Sequence, residues 1–180
     1  MRQFILLTLL ALFICGAPPG HAADTSSEYR VKAAYLYNFA KFIRWPEKTF
    51  ASVDSPLVIG VLGKNPFNGE LTPLADKTVR NRKIIVRQFA TIDNVTDCHL
   101  LYVSDTASRQ LRAALQLLRV KPMVTIGDNE DFCKFGGVIQ FVTRRDRLRF
   151  VINLDVAKDN DIHIDSQLLS LAVEVLEAGR

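Results

Sequence analysis

The sequence has little of what most enzymes and metal proteins use at their sites. Histidine and cysteine occur three times each in 180 residues, and no Cys/His group has the spacing of zinc ligands. The pattern G-x-S-x-G, which presents a nucleophilic serine, is absent. The net charge is only +4, which disfavours a nucleic-acid partner. We therefore expect no enzyme, no metal and no cofactor; a hydrolytic site on Asp128, Glu130 or His163 is the remaining alternative.

The sequence also has no apolar run long enough to cross a bilayer, which takes ~20 residues. Its N-terminal apolar run, Phe4–Cys15, is shorter than that. It follows one positive charge and precedes a small residue, Ala22, which is the arrangement of a secretory signal peptide. Lipidation of Cys15 is the alternative, but the residue before it is too large for a lipobox. We expect residues 1–22 to be cleaved and residues 23–180 to form one soluble periplasmic domain.

Short apolar runs alternate with helical patterns over the rest of the chain. Strands are predicted over residues 57–62, 83–89, 99–104 and 123–127, and helices over 28–43, 66–74 and 107–118. Residues 137–143 and 148–154 predict a hairpin, and residues 166–176 a last helix. Strands that alternate with helices indicate parallel βαβ units. We expect an α/β fold: a single compact domain with a mixed, mostly parallel sheet, an antiparallel edge hairpin and helices on both faces.

The first predicted helix is more apolar than a helix at the edge of a core requires. Its aromatic residues include Tyr35, Phe39 and Phe42, and Trp45 follows its end. One interpretation is a deeply buried helix. The other is a helix that packs both on its own core and on a partner. Under the second interpretation these four residues are candidates for partner binding or self-association.

A glycine and a lysine follow the first predicted strand. The segment Gly60–Lys64 superficially looks like a phosphate loop, but it has two residues between its glycines instead of four. Gly63 and Lys64 nevertheless lie at the carboxyl end of a strand, where open α/β sheets bind ligands. They are candidate ligand contacts, and the alternative is an ordinary turn.

The tip of the predicted hairpin is strongly basic. Arg144, Arg145 and Arg147 lie in the turn, and Arg149 shares a strand face with Arg147. These guanidinium groups are candidate contacts for anionic lipid headgroups, an acidic protein face or a phosphate. The alternative is that they are merely solvated.

Two cysteines remain after the predicted cleavage, Cys98 and Cys133. A pair in an oxidising compartment is normally bridged. Here Cys98 precedes one predicted parallel strand and Cys133 follows the next, so their thiols should lie at opposite edges of the sheet. A disulfide needs Cα atoms within ~7 Å. We expect two free thiols.

Two parts of the chain resemble a known family. Residues 32–46 read KAAYLYNFAKFIRWP, while residues 148–154 read LRFVINL and residues 164–169 read IDSQLL. Together with the signal peptide and the strand order, these segments resemble the YfiR-like family of small periplasmic proteins. The similarity extends over essentially the whole predicted mature chain.

The resemblance implies a compact α/β domain that forms a homodimer. It also implies a non-catalytic regulator that binds the periplasmic part of an inner-membrane signalling protein. The best-understood relative represses a diguanylate cyclase, and its release raises cyclic di-GMP and favours biofilm. A sensor kinase is the alternative partner. The alternative function is a periplasmic sensor of a small-molecule effector, with Gly63, Lys64 and Arg144 or Arg145 as contacts.

One feature of that relative is missing here. The relative has two disulfides, and Cys98 and Cys133 each match one half of such a pair. The partner positions fall on Ile59 or a neighbour and on Gln140. The resemblance therefore argues against redox control in this chain and again favours unpaired thiols.

Overall fold

The computed structural model describes residues 22–104 and 108–178. The predicted signal peptide lies outside these residues except for Ala22. The helices are α1 (Ala22–Phe42), α2 (Ser108–Leu118), α3 (Leu154–Asp159) and α4 (Ser166–Leu171). The strands are β1 (Ile43–Arg44), β2 (Leu57–Leu62), β3 (Thr78–Val79), β4 (Arg82–Phe89), β5 (Leu100–Val103), β6 (Val124–Gly127), β7 (Ile139–Arg144), β8 (Arg147–Asn153), β9 (His163–Ile164) and β10 (Glu174–Leu176).

Eight strands form one sheet in the order β10-β8-β7-β6-β5-β2-β4-β3. The five strands from β4 to β7 in this order are parallel, whereas β8 is antiparallel to β7 and β3 is antiparallel to β4. The short strands β1 and β9 form a separate antiparallel pair. The predicted fold class, a single α/β domain with a mixed, mostly parallel sheet and an antiparallel edge, is confirmed.

Helices cover both faces of the sheet because the strand side chains alternate between two cores. Leu57, Ile59 and Val61 of β2 lie in the core that also contains buried residues of α1. Val58 and Leu62 lie in the second core, together with residues of α2. Since both faces of β2 are buried, its sequence reads as a continuous apolar run.

The C-terminal segment differs from the prediction. The last helix ends at Leu171, because Ala172 adopts an extended conformation with φ −66° and ψ 142°. Residues 174–176 then form β10, which is parallel to β8, and the Val173 amide donates to the Phe150 carbonyl at 2.9 Å. This strand satisfies backbone groups that β8 would otherwise leave open. The predicted hairpin therefore has β10 outside it.

The helix predicted over residues 66–74 is also mostly absent. A short 3-10 turn, Thr72–Leu74, is the only helical part. Asn68 and Gly69 have φ values of 47° and 90°, which a right-handed helix cannot contain. The local turn conformation therefore overrides the apolar pattern there.

Candidate functional site

A buried lysine lies at the carboxyl end of the sheet. Lys32 of α1 is 1% exposed. Its Nζ lies 2.6 Å from Glu28 Oε1, one helical turn away, and 2.5 Å from Asp128 Oδ2, immediately after β6. Burial lowers the pKa of Lys32, but hydrogen bonds to Asp128 and Glu28 outweigh it, so the pKa is raised. Lys32 is therefore a fixed cation that orients Asp128.

Aromatic residues enclose this ion pair. The Tyr102 hydroxyl of β5 donates to Asp128 Oδ2 at 2.8 Å, and the Tyr29 ring lies 4.4 Å from Lys32 Nζ. Burial and the Asp128 carboxylate both raise the pKa of Tyr102, which keeps it a neutral donor. Phe67 fills the space between the two tyrosines, with ring centroids 5.3 Å from Tyr29 and 4.9 Å from Tyr102.

An open cleft of about 570 Å³ adjoins the ion pair. Asp128 keeps about a quarter of its side chain exposed there. Carboxylates dominate the charged part of the cleft, with Lys134 and Arg144 as the cations near its rim. The lining consists of Glu28, Lys32, Asp128, Glu130, Asp131, Cys133, Lys134, Gln140, Phe141, Val142, Thr143, Arg144, Leu148, Val151, Glu174 and Leu176. Such a mixture can bind a small polar molecule, and within the described residues no cluster has the makeup of a metal site.

The basic hairpin tip is a tight turn. Arg145 and Asp146 both have positive φ, 51° and 56°, and Arg144 and Arg147 face each other across the strands. Two-residue hairpin turns of this kind normally carry Asn-Gly, because L side chains avoid positive φ. Arg145 therefore occupies a strained backbone position with its side chain in solvent.

The structure separates the candidate ligand residues. Arg144, Arg145 and Arg147 line one concavity with Arg149 and Val173. Gly63 and Lys64 line neither that concavity nor the cleft beside Lys32. They lie at the end of β2, and two strands, β5 and β6, separate β2 from the hairpin strand β7. The predicted shared site of Gly63, Lys64 and the arginines is therefore not assembled.

Two of the four aromatic candidates belong to the chain's own core. Phe39 is fully buried, with its ring 5.1 Å from that of Phe150. Trp45 is buried as well, and its Nε1 donates to the His99 carbonyl at 3.1 Å. These two side chains offer no surface to a partner, which corrects the prediction for them. Tyr35 and Phe42 are partly exposed.

An exposed strip remains on α1. Val31, Ala34, Tyr35 and Asn38 lie at the i, i+3, i+4, i+7 spacing of one helix face, and Val31 is 43% exposed. The Tyr35 hydroxyl donates to the Leu148 carbonyl at 3.3 Å, which brings this strip next to the basic hairpin. Val31, Ala34 and Tyr35 belong to the wide apolar arc that the sequence shows on this helix, but which part of the arc stays exposed depends on how α1 packs.

His99 has a structural environment. Its Nδ1 accepts from the Val58 amide at 3.1 Å, and its ring stacks on Phe50 with centroids 4.4 Å apart. Its Nε2 has no hydrogen-bond partner within the part of the chain that the structure describes. Burial, with a contribution from Arg82, lowers the pKa of His99 to about 4.

Cys98 and Cys133, the cysteines among the described residues, are both free and buried. Burial raises the pKa of Cys98 and of Cys133 to about 12, so neither is a reactive thiolate. The Cys133 amide donates to Gln140 Oε1 at 3.2 Å. A Cβ atom at Gly60 would lie 2.8 Å from Cys98 Sγ. Gln140 and Gly60 are thus the neighbours of the two thiols, and Gly60 adjoins the expected position Ile59.

One comparison with known proteins finds a match for this chain. A family model described as YfiR/HmsC-like matches residues 29–173, which is most of the chain. A search of curated proteins finds no match. Within the residues the structure describes, no helix is long and apolar enough for a membrane span.

Proposed function

Because this chain belongs to the YfiR/HmsC-like family, we propose that it is a periplasmic, non-catalytic regulator. It binds the periplasmic part of an inner-membrane signalling protein and represses it. A diguanylate cyclase is the leading partner, so that loss of the regulator raises cyclic di-GMP and favours biofilm. The observation that carries this proposal is the family match over residues 29–173.

We place the partner contact on the exposed strip of α1. Val31 and Ala34 present apolar surface, and the partly exposed Tyr35 and Phe42 extend that surface toward the C-terminal end of α1. A helix that buries one face in its own core and leaves a second apolar strip in water is suited to bind a partner helix or groove. This placement retains two of the four aromatic candidates, Tyr35 and Phe42.

The test is affinity capture of residues 23–180 from detergent-solubilised membranes, with the partner identified by mass spectrometry. The wild-type chain should recover a protein with a cyclase or kinase domain. Val31→Asp and Ala34→Asp should lose it, because an unpaired carboxylate would enter the interface. Leu117→Asp is the matched control, since Leu117 is an exposed apolar residue on α2, against the opposite face of the sheet.

Two results would contradict the proposal. Recovery of nothing by a folded wild-type chain would remove the support for a membrane partner. Equal recovery by all variants would remove the contact from α1. A cellular readout complements the capture: deletion of the gene should raise cyclic di-GMP, and the wild-type gene but not the Ala34→Asp gene should restore its level.

We further infer a homodimer, as the family resemblance implies. Sedimentation velocity over a range of concentrations should show a dimer for residues 23–180. If Tyr35 and Phe42 lie in the self-association surface, Ala34→Asp, next to Tyr35 on the same strip of α1, should shift the chain toward the monomer. A monomer at every concentration for the wild type would refute this inference.

The cleft beside Lys32 supports a second candidate function, a sensor of a small polar molecule. Its volume, about 570 Å³, and its mixed charges would accommodate such an effector. A thermal-shift screen of polar metabolites tests this candidate, because a ligand at 100 times its Kd adds about 2.7 kcal/mol of stability. Glu130→Gln, which changes an exposed lining residue, should reduce the shift. Absence of any shift across the screen would count against the sensor.

A further inference from the structure

The tip of the β7–β8 hairpin concentrates positive charge that the fold does not neutralise. Arg144, Arg145, Arg147 and Arg149 line one concavity of about 570 Å³. Within the described residues, none of the ion pairs includes any of these four side chains. Asp146, inside the turn, is the acidic residue of this segment.

This arrangement costs stability. Arg144 and Arg147 are directly opposite each other in the antiparallel ladder, where like charges repel. Arg145 adds a left-handed backbone with φ 51°, which L residues other than Asn and Asp rarely adopt. The turn holds one carboxylate, Asp146, against four arginines, and Arg144 also borders the acidic cleft, yet none of these arginines forms an ion pair with a described residue. A strained turn with this excess of positive charge favours an anion outside the chain.

Exposed apolar side chains lie beside the arginines. Val173 lines the same concavity and is 45% exposed, while Leu171 and Val175, on either side of it, are exposed as well. The edge strand β10 holds this segment against β8. Glu174 is the acidic residue within it. Surfaces that bind the interface of an anionic bilayer typically combine arginines with exposed aliphatic residues.

We propose that the hairpin tip and residues 171–175 bind the surface of a membrane that contains anionic phospholipid. The guanidinium groups bind lipid phosphates, with paired N–H donors toward each phosphate. The aliphatic residues enter the outer part of the acyl region. This site is distinct from the α1 strip but lies close to it, because the Tyr35 hydroxyl of the strip donates to the Leu148 carbonyl of the hairpin.

Vesicle flotation tests the proposal with residues 23–180 alone. The chain should float with vesicles that contain phosphatidylglycerol and stay behind with vesicles of phosphatidylcholine only, and added salt should weaken the binding. Arg144→Gln and Arg147→Gln should each reduce the partition coefficient about fivefold. Val173→Ser should reduce the binding that remains at high salt.

Lys83→Gln with Arg87→Gln is the matched control, because it removes two exposed cations from β4, near the other edge of the sheet. This double variant should bind vesicles as the wild type does. Equal loss in the control would show a general charge effect and overturn the proposal, as would equal binding to neutral vesicles or no binding at all.

If vesicle binding fails but capture of the membrane protein depends on Arg144 and Arg147, the tip binds an acidic protein face instead.

The vesicles contain no protein, so failure of this proposal leaves the proposed regulatory function intact. Thermal unfolding of each variant provides the folding check. The arginine variants should be at least as stable as the wild type, because each removes one of two facing like charges.

Discussion

Lys32 connects the helix α1 to the end of β6. Its buried positive charge needs negatively charged partners, because an unpaired charge in a protein core is costly. Two carboxylates lie within 2.6 Å of its Nζ. Removal of one member of a buried pair leaves the other uncompensated, which costs more than the pair contributes.

We predict that Lys32→Met destabilises the protein by about 2–3 kcal/mol, somewhat below the range for fully buried pairs because Asp128 retains contact with water. Urea unfolding followed by the fluorescence of the single tryptophan, Trp45, measures the change. Lys48→Met is the control, since Lys48 pairs with Asp161 in solvent and should cost about 0.5 kcal/mol or less. Equal costs for the two variants would refute the buried role of Lys32.

Gly60 lies where a larger side chain would meet Cys98. Its added Cβ would lie 2.8 Å from Cys98 Sγ and within 2.9 Å of Phe89 and Leu101 side-chain atoms. We predict that Gly60→Cys forms a disulfide with Cys98 on oxidation. Thiol titration and intact mass should show the loss of two thiols. Ile59→Cys is the control, because Ile59 lies in the opposite core from Cys98 and should leave every thiol free.

At the scale of elements, α4 shows how one short helix divides between core and solvent. Leu168 is 2% exposed and Leu171, three residues later, is 59% exposed. We predict that Leu168→Ala costs about 2–4 kcal/mol through the cavity it leaves. Leu171→Ala should change the free energy of unfolding by about 0.5 kcal/mol or less. Similar urea midpoints for the two variants would mean that α4 does not pack as described.

Most elements could be predicted from the sequence, and the exceptions have a common physical cause. The strand Leu57–Leu62 was predicted to the residue, because an apolar run buried on both faces is bounded by turn residues. The strand β10 was not, because its residues pair with β8 through backbone groups that carry no sequence pattern. Helical periodicity over residues 166–176 predicted that Val173 faces inward, whereas the helix ends at Leu171 and Val173 is exposed beside this pairing.

The candidate site was harder to predict than the fold. Lys32 and Asp128 are 96 residues apart, and no local spacing indicates that the chain brings them together. The basic tip, in contrast, is visible in the sequence because its four arginines fall within residues 144–149. The strip on α1 could be predicted only in part. The sequence shows its aromatic residues, but the burial of Phe39 and Trp45 depends on packing against strands that are distant in the chain.

Across the whole molecule, stability should depend on pH through His99. The folded state lowers the pKa of His99 from 6.5 to about 4. The unfolded chain therefore binds a proton at a pH where the folded chain does not, and stability falls as the pH drops from 6.5 toward 4. The loss should reach about 3 kcal/mol at most.

Urea unfolding at a series of pH values, again followed by Trp45, measures this dependence. His99→Asn is the comparison, because an asparagine oxygen can still accept from the Val58 amide without titrating. The variant should show a flatter profile between pH 6.5 and 4. An unchanged slope would assign the acid sensitivity to other groups.

The helix α1 is the first described element of the chain, yet several of its aromatic partners lie far along the chain, in the β7–β8 hairpin. The Tyr35 hydroxyl bonds to a carbonyl 113 residues further along, and Phe39 packs on Phe141 and Phe150. Export with the N-terminus first, which the proposed periplasmic location implies, would present this aromatic helix to the envelope before the strands that cover it. Folding must wait for the C-terminal third, and we expect a periplasmic holdase to protect the helix in the interval.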